Sequence, residues 1–244
     1  MGATYFASDL HLTAVESPIF DCFLRFLDQV RADGVRLILL GDVFETWIGD
    51  DDDAPLGSAV ARSLRPLADA EIELVFAHGN RDFLVGEGFA RAAGARLMSE
   101  LETLEIGATR IAVMHGDTLC TDDVEYQRVR TMLRGPAWQQ DFLSQPLLAR
   151  RSFAEQARAR SAAHTAMTAA QIMDVNPAAV DELFDSSGAH WIIHGHTHRP
   201  AIHERADGRK RIVLGDWPRA ASWLRVEADG SAEFVFDGRK LGRL

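Results

Sequence analysis

The chain has 244 residues, enough for one large α/β domain or a domain carrying a sizeable insertion. Its 47% hydrophobic content is ordinary for a globular protein, and no apolar run has the length needed to span a bilayer. A net charge of −10 argues against a broad nucleic-acid footprint, and two cysteines without a Cys-x-x-Cys spacing suit a reducing compartment.

The opening Met-Gly-Ala-Thr-Tyr-Phe-Ala-Ser-Asp lacks the basic and long apolar regions of a signal peptide, so a cytoplasmic protein is expected. Thr4 to Ala7 reads as a strand that ends in Ser8-Asp9-Leu10-His11. A helical pattern follows over Ile19 to Ala32, with Cys22 as plain core. Arg36 to Leu40 is a second strand, ending in Gly41-Asp42, and Leu56 to Ala70 a second helix. Glu73 to Ala77 ends in His78-Gly79-Asn80-Arg81-Asp82 and leads into a helix over about Phe83 to Ala93. Leu101 to Ile106 pairs with Arg110 to Met114 through the Gly107-Ala108 turn, and the second of these ends in His115-Gly116-Asp117. Trp191-Ile192-Ile193 ends in His194-Gly195-His196-Thr197-His198, and three meandering strands follow at Arg211 to Leu214, Ser222 to Val226 and Ala232 to Phe236. Strand, polar turn, helix, strand is the signature of an α/β fold whose ligands gather at the carboxyl ends of the strands. Two sheets with helices outside is the expected architecture.

Asp9 to Asp42, Asp42 to Asn80 and Asn80 to His115 are 33, 38 and 35 residues apart, each suiting one strand-helix-strand unit. His115 to His196 is 81, so about forty residues are surplus to that unit. They fall between Thr121 and Ser187, which reads as a helical cap inserted into a single domain over residues 1–244.

The strand-end residues are Asp9, His11, Asp42, Asn80, His115, His196 and His198. Mixed carboxylate, imidazole and amide donors suit Mn²⁺, Fe²⁺ or Zn²⁺ better than Ca²⁺ or Cu⁺. Seven donors exceed the needs of one catalytic ion, which keeps a position open. Two ions bridged by one carboxylate would use them all and activate a water for attack on phosphorus.

Asp9-x-His11, Gly41-Asp42, Gly79-Asn80-Arg81-Asp82, His115-Gly116-Asp117 and Gly195-His196-Thr197-His198 resemble the five motifs of the calcineurin-like metallophosphoesterases, over residues of about 4 to 216. The resemblance implies an αββα sandwich of two mixed sheets, with Asp9, His11 and His198 on one metal. Asn80, His115 and His196 would hold the other, and Asp42 would bridge. Where the wider family has a histidine after the asparagine of its third motif, this chain has Arg81. That departure narrows the likeness, together with Gly41-Asp-Val-Phe-Glu-Thr-Trp-Ile-Gly-Asp50, His115-Gly-Asp-Thr-Leu-Cys-Thr-Asp-Asp123 and Ile172-Met-Asp-Val-Asn176. These strings are similar to the branch that cleaves the pyrophosphate of a diacylated UDP-sugar in bacterial lipid A biosynthesis. The likeness implies a hydrolase with two ions, Mn²⁺ foremost, that releases UMP and a diacylated sugar 1-phosphate. It also implies a peripheral protein on the cytoplasmic face of the inner membrane. By position, Asn80, Arg81, Asp123, Ser161, Thr165, Thr168 and His196 would contact substrate; Thr168 stands where that branch has a lysine.

Read from the residues alone, Arg81 beside a metal ligand either meets a phosphate bidentately or pairs with Asp82. Asp117 either orients a ligating imidazole or is a turn carboxylate. Asp50 to Asp53 are expected as a solvated acidic cluster favoured by the dipole of the following helix. Trp47 is expected in the core rather than stacked on a base, and His78, His164, His190, His194 and His203 as structural. Arg128, Arg130, Arg134, Arg150, Arg151, Arg158 and Arg160 accompany Trp138, Phe142, Leu143, Leu147, Leu148 and Phe153 along the cap. Basic helices with bulky apolar faces suit an anionic membrane surface and the shelter of acyl chains, or pack on the core with an arginine face in solvent.

Overall fold

The computed structural model describes residues 2–167, 172 and 174–243, and at 162, 164–167, 241 and 243 the backbone alone. In chain order the first half runs β1 (Ala3–Ala7), α1 (Pro18–Asp33), β2 (Gly34–Leu39), α2 (Pro55–Asp69), β3 (Glu73–Phe76), α3 (Glu87–Ala93), β4 (Ala95–Leu97), β5 (Leu101–Ile106) and β6 (Thr109–Met114). Helices α4 (Val124–Leu133), α5 (Pro136–Ser144), α6 (Leu147–Met167) and α7 (Pro177–Ser187) then follow one another. The chain closes with β7 (Trp191–His194), β8 (Ala201–Glu204), β9 (Lys210–Val213), β10 (Ser222–Val226), β11 (Ala232–Phe236) and β12 (Arg239–Arg243).

The strands form two mixed sheets, in the orders β12-β11-β10-β1-β2-β3-β4 and β5-β6-β7-β9-β8. The parallel strands β1, β2 and β3 lie at the centre of the first sheet, with Tyr5 beside Leu37 and Leu37 beside Leu74. In the second, β6, β7 and β9 are parallel, with Val113 beside Ile193 and Ile193 beside Ile212. Strands β1 and β7 are buried at every position, as strands covered on both faces must be.

Three apolar layers follow from side-chain alternation. Phe6, Ile38 and Val75 of the first sheet meet Ile111, Val113, Ile193 and Ile212 of the second between the sheets. Tyr5, Leu37, Leu39 and Phe76 point the other way, onto Phe23, Phe26, Val60 and Leu64 of α1 and α2. Ala112, Met114 and Ile192 point outward from the second sheet onto Val180, Leu183 and Phe184 of α7. Helix, sheet, sheet and helix are therefore stacked in that order, the αββα sandwich expected. Ser17 caps α1 by accepting from the Phe20 amide at 3.2 Å, and Asn176 caps α7, each with a proline at the next position.

The expected elements are present, and three short ones were not foreseen: β4, β8 and β12, of three, four and five residues. The helix expected from Phe83 begins only at Glu87. Asp82 is the reason: its carboxylate accepts from the amides of Val43 and Gly79 at 2.8 Å each, which holds a turn through 79–82, and Leu84 and Val85 then drop into the interior.

The acidic run Asp50–Asp53 is largely exposed, as expected, but its carboxylates are engaged by partners rather than by the start of α2. Asp50 accepts from the Gly86 and Phe89 amides at 2.9 and 3.0 Å and so caps α3. Asp51 pairs with Arg150, and Asp52 and Asp53 pair with Arg151, both on α6. Of the arginines expected as a basic face, Arg150 is buried, Arg130 and Arg134 bind Asp117, and Arg158 binds Glu45. Arg128 and Arg160 remain exposed. Arg151 and Arg158 are also open to solvent, at 40% and 46%, so the arginine side of this segment is divided between carboxylate partners and solvent. Among the described residues no helix is long and apolar enough to cross a membrane.

Candidate metal centre

Each sheet ends its central strands at the same rim, and the turns there are unusual. Asp9, His11, Asp42, His196 and His198 all have positive φ, between 49° and 66°. Five non-glycine residues in the left-handed region, all among the seven proposed from sequence, mark a backbone bent to aim side chains at one place. Glycine makes the crowding possible. A Cβ on Gly79 would overlap the Asp42 side chain, and one on Gly195 would overlap Asp9 and Ser8.

The seven side chains converge in two overlapping groups. Asp9, His11 and His198 offer ligand atoms within 4.8 Å of one another, and so do Asp9, Asp42 and His115. His198 Nε2 lies 3.3 Å from Asp9 Oδ1, and His11 Nε2 lies 3.2 Å from His198 Nε2. Asn80 Oδ1 stands 3.0 Å from His115 Nε2 and 2.9 Å from His196 Nδ1. Asp42 Oδ2 sits between the groups, 4.0 Å from His11 Nε2 and 3.8 Å from His115 Nε2.

The donor set fits divalent cations. Asp9 Oδ1 is buried with no hydrogen-bond donor, while Oδ2 accepts from Ser8 Oγ at 2.6 Å and the His196 amide at 3.0 Å. One oxygen is thus anchored and the other left bare, facing imidazoles. A buried carboxylate oxygen in that state is costly unless a positive charge meets it. The outer nitrogens are also held: His115 Nδ1 donates to the Leu40 carbonyl at 2.8 Å, and His11 Nδ1 to Glu45 Oε2 at 2.7 Å. Both rings are thereby set to present Nε2 inward as an acceptor.

Electrostatics in the metal-free protein follow from packing carboxylates among imidazoles. Burial pushes Asp42 up to about 6, against the opposing pull of His115 and His11. Burial would lower His11, but its bond to Glu45 and the charges of Asp42 and Asp9 lift it to about 9. Burial, helped by the charge of His115, takes His196 down to about 4. A site that strains two carboxylates and several imidazoles in opposite directions is one made for an added positive charge.

The remaining candidates lie around this centre. Arg81 is half-buried; its amide donates to Asp42 Oδ1 at 2.7 Å, and its Nε is buried without a partner. It does not pair with Asp82, whose oxygens are taken by backbone amides. Asp117 meets neither expectation: it accepts from Tyr126 Oη at 3.0 Å and Arg130 Nε at 2.7 Å, so it anchors α4 rather than an imidazole. Asp123 is buried as the N-cap of α4 and accepts from the Tyr126 amide at 3.0 Å. Ser161 is half-buried on α6. Thr165 is placed on the same helix by its backbone alone, and Thr168 lies outside the described residues. Trp47 packs against Phe44 and Phe89 with centroids at 4.5 and 5.2 Å, and also lines a recess of about 170 Å³ with Thr13, Glu45 and Arg158. Sequence reasoning passed over Glu45 and Tyr126, and gave Arg134 only a place in the basic face of the cap. Tyr126 packs against the His196 ring at 5.6 Å with the planes tilted by 38°, and Arg134 donates to the Gly79 carbonyl at 2.9 Å, one residue before Asn80. Their signal in the sequence is slight, because each acts through a contact made across the fold.

Residues 3–200 match the family described as calcineurin-like phosphoesterase. A UDP-2,3-diacylglucosamine hydrolase of Serratia proteamaculans is 47% identical over 229 residues, covering 93% of this chain and 95% of that one. One from Stenotrophomonas maltophilia is 47% identical over 237 residues, covering 93% and 96%. Among solved structures, Vps29 of Entamoeba histolytica complexed with Zn²⁺ superposes with a TM-score of 0.53 at 14% identity, covering 99% of this chain and 98% of that one; that likeness concerns the fold alone.

Proposed function

The chain belongs to the calcineurin-like phosphoesterases, and on that premise we propose that it is a UDP-2,3-diacylglucosamine hydrolase that splits the substrate's pyrophosphate into UMP and 2,3-diacylglucosamine 1-phosphate. The observation that carries this reading is the convergence of Asp9, His11, Asp42, Asn80, His115, His196 and His198 at one rim, in a chain nearly half identical to enzymes of that name over 95–96% of their length. Asp9, His11 and His198 would hold one divalent cation, and Asn80, His115 and His196 the other, with Asp42 between them. Such a pair would supply positive charge beside the phosphoryl oxygens and would lower the pKa of a bound water, making hydroxide available as the nucleophile. Mn²⁺ suits the mixture of carboxylate, amide and imidazole donors.

The chain's own residues do the rest. Arg81, fixed through its amide to Asp42 and with an unpartnered guanidinium nitrogen, is placed to meet the phosphoryl group that lies beyond the cations. Asp123, Ser161, Thr165, Thr168 and His196 are the further substrate contacts we propose. The segment 121–187 would act as a cap. Val124, Met132 and Leu148 are 73%, 55% and 79% exposed, an unusual display of apolar side chains on one helical segment. With the exposed Arg128 and Arg160, they would receive acyl chains and touch the anionic inner face of a bacterial inner membrane from the cytoplasm.

The assay is UMP release from UDP-2,3-diacylglucosamine by chelator-stripped protein, with and without added Mn²⁺. Turnover that depends on the metal is expected. Equal turnover of a generic aryl phosphodiester would reduce the assignment to an unspecialised phosphoesterase.

A further inference from the structure

His11 and His198, whose Nε2 atoms lie 3.2 Å apart, are not held alike. His11 is backed by Glu45, whose Oε2 accepts from Nδ1 at 2.7 Å. Among the described residues, His198 Nδ1 has the more distant Asp216, with Oδ2 at 3.9 Å. Glu45 is itself pinned at its other oxygen, Oε1 lying 3.0 Å from Arg158 Nη2 on α6. Among the described residues, one oxygen of this carboxylate therefore meets the centre and the other meets α6, with the charge of Arg81 also nearby. The Glu45 side chain is 18% exposed and that of His11 8%, so the first of these contacts is largely shielded from water, whereas Arg158 is 46% exposed.

We propose that Glu45 is the positioning residue of His11: it holds the ring with Nε2 turned toward Asp9, Asp42 and His198, and Arg158 holds Glu45 in place from α6. The inference rests on the dimetal reading above and deepens it. A carboxylate behind a ligating imidazole fixes the tautomer, orients the ring and raises its basicity. The competing role is that of a plain ion pair joining α6 to the core. The two roles separate because Arg158→Ala breaks the ion pair and leaves the imidazole contact, whereas Glu45→Ala breaks both.

The test is calorimetric titration of Mn²⁺ into chelator-stripped protein, which needs no substrate. The unsubstituted chain should take up two ions. Glu45→Ala should weaken one of them by roughly 10–100-fold and leave the other near its original affinity. Arg158→Ala should keep both within about threefold, and Glu45→Gln, which retains an oxygen acceptor, should recover most of the loss. Equal effects of Glu45→Ala and Arg158→Ala would overturn the proposal in favour of the ion pair, as would unchanged affinity in Glu45→Ala. If Glu45→Ala does not fold, Glu45→Gln decides alone: wild-type stability with both ions held supports the role, and loss of both ions overturns it. Failure of the unsubstituted chain to bind Mn²⁺ at all would sink the centre itself, a result separate from any of these.

Discussion

Arg81 donates its backbone amide to Asp42 Oδ1 at 2.7 Å, so the residue proposed to meet phosphate hangs from the residue proposed to lie between the cations. The link runs through the main chain, and removing the Arg81 side chain leaves it intact. Arg81→Ala should therefore retain two ions by elemental analysis while kcat/KM falls by roughly 10²-fold or more, the scale of losing a charge-assisted contact near developing charge. Loss of metal together with activity would show instead that the guanidinium supports the centre.

Asp42 is the opposite case. Its side chain is the acceptor of that amide bond and stands between His11 and His115. Asp42→Ala should abolish hydrolysis and weaken cation uptake, with the far-ultraviolet circular dichroism of the fold retained. Asp42→Asn keeps an oxygen for the Arg81 amide but loses the charge, so it should hold the loop and still fail to turn over. Substantial activity of either variant at saturating Mn²⁺ would sink the placement of Asp42 between two ions.

Both residues were legible in the sequence for a physical reason. Ligands of an α/β fold must sit where strands end, and Asp9, Asp42, Asn80 and His115 each follow an apolar run by one to four residues. The regular spacing of those runs also exposed the surplus segment. The partners of Asp51 to Asp53 lay about a hundred positions away on α6, and an ion pair across that distance leaves no periodic mark, so their charges read as a local helix-start cluster. Glu45 was hidden in the same way, 34 positions along the chain from His11. Strand β4 has three residues and β8 four, too short for alternation to register.

Arg150 makes the attachment of α6 measurable. Its side chain is 2% exposed, pairs with Asp51 and donates to the Ile48 carbonyl at 2.6 Å. Arg150→Ala strands that carbonyl and opens space beneath Gly49, at a cost of about 2 kcal/mol. A lower urea midpoint with an unchanged slope is expected, because the loss is of stability rather than of compactness. Asp51→Ala should do less, since Asp51 is 63% exposed and its pair is screened by water. Equal losses in the two variants would place the effect in the ion pair and not in the buried guanidinium.

Cys120 gives a pH-dependent check on the packing beside the centre. Burial, aided by the charges of Asp117, Asp174 and Asp123, lifts its thiol from 9.0 to about 12. A group raised on folding contributes its full stability below the unfolded value and loses it as pH climbs through the folded one, here between about 9 and 12. The native thiol therefore stays protonated at pH 9, and only the thiolate reacts with alkylating agents. Iodoacetamide at pH 9, followed by peptide mass analysis, should spare Cys120 until urea is added, whereas the half-buried Cys22 should be modified sooner. Rapid labelling of Cys120 in the folded protein would contradict this packing.

The acyl chains are the part of the substrate that the cation centre cannot recognise, since every UDP-sugar carries the same pyrophosphate. Discrimination must come from apolar surface, and α4, α5 and α6 display it: Val129, Met132, Leu143, Leu148 and Phe153 are between 37% and 79% exposed. Trp138 stacks on Phe142 at 4.8 Å, and Phe153 meets both rings, so the base of this surface is rigid and aromatic. Burying a methylene there contributes about 0.8 kcal/mol, and enclosing five yields roughly 4 kcal/mol. Used in the transition state, that is about 10³-fold in kcat/KM. UDP-N-acetylglucosamine, without those chains, should therefore be hydrolysed at least about 10³-fold more slowly than the diacylated substrate. Phe153→Asp should narrow the gap chiefly by slowing the acylated substrate, with the other left near its basal rate. Because Phe153 also packs on Trp138, Leu148→Asp at a site with little packing to lose is the companion variant, and it should act in the same direction. Comparable turnover of the two UDP-sugars by the unsubstituted chain would mean that these helices do not read the lipid.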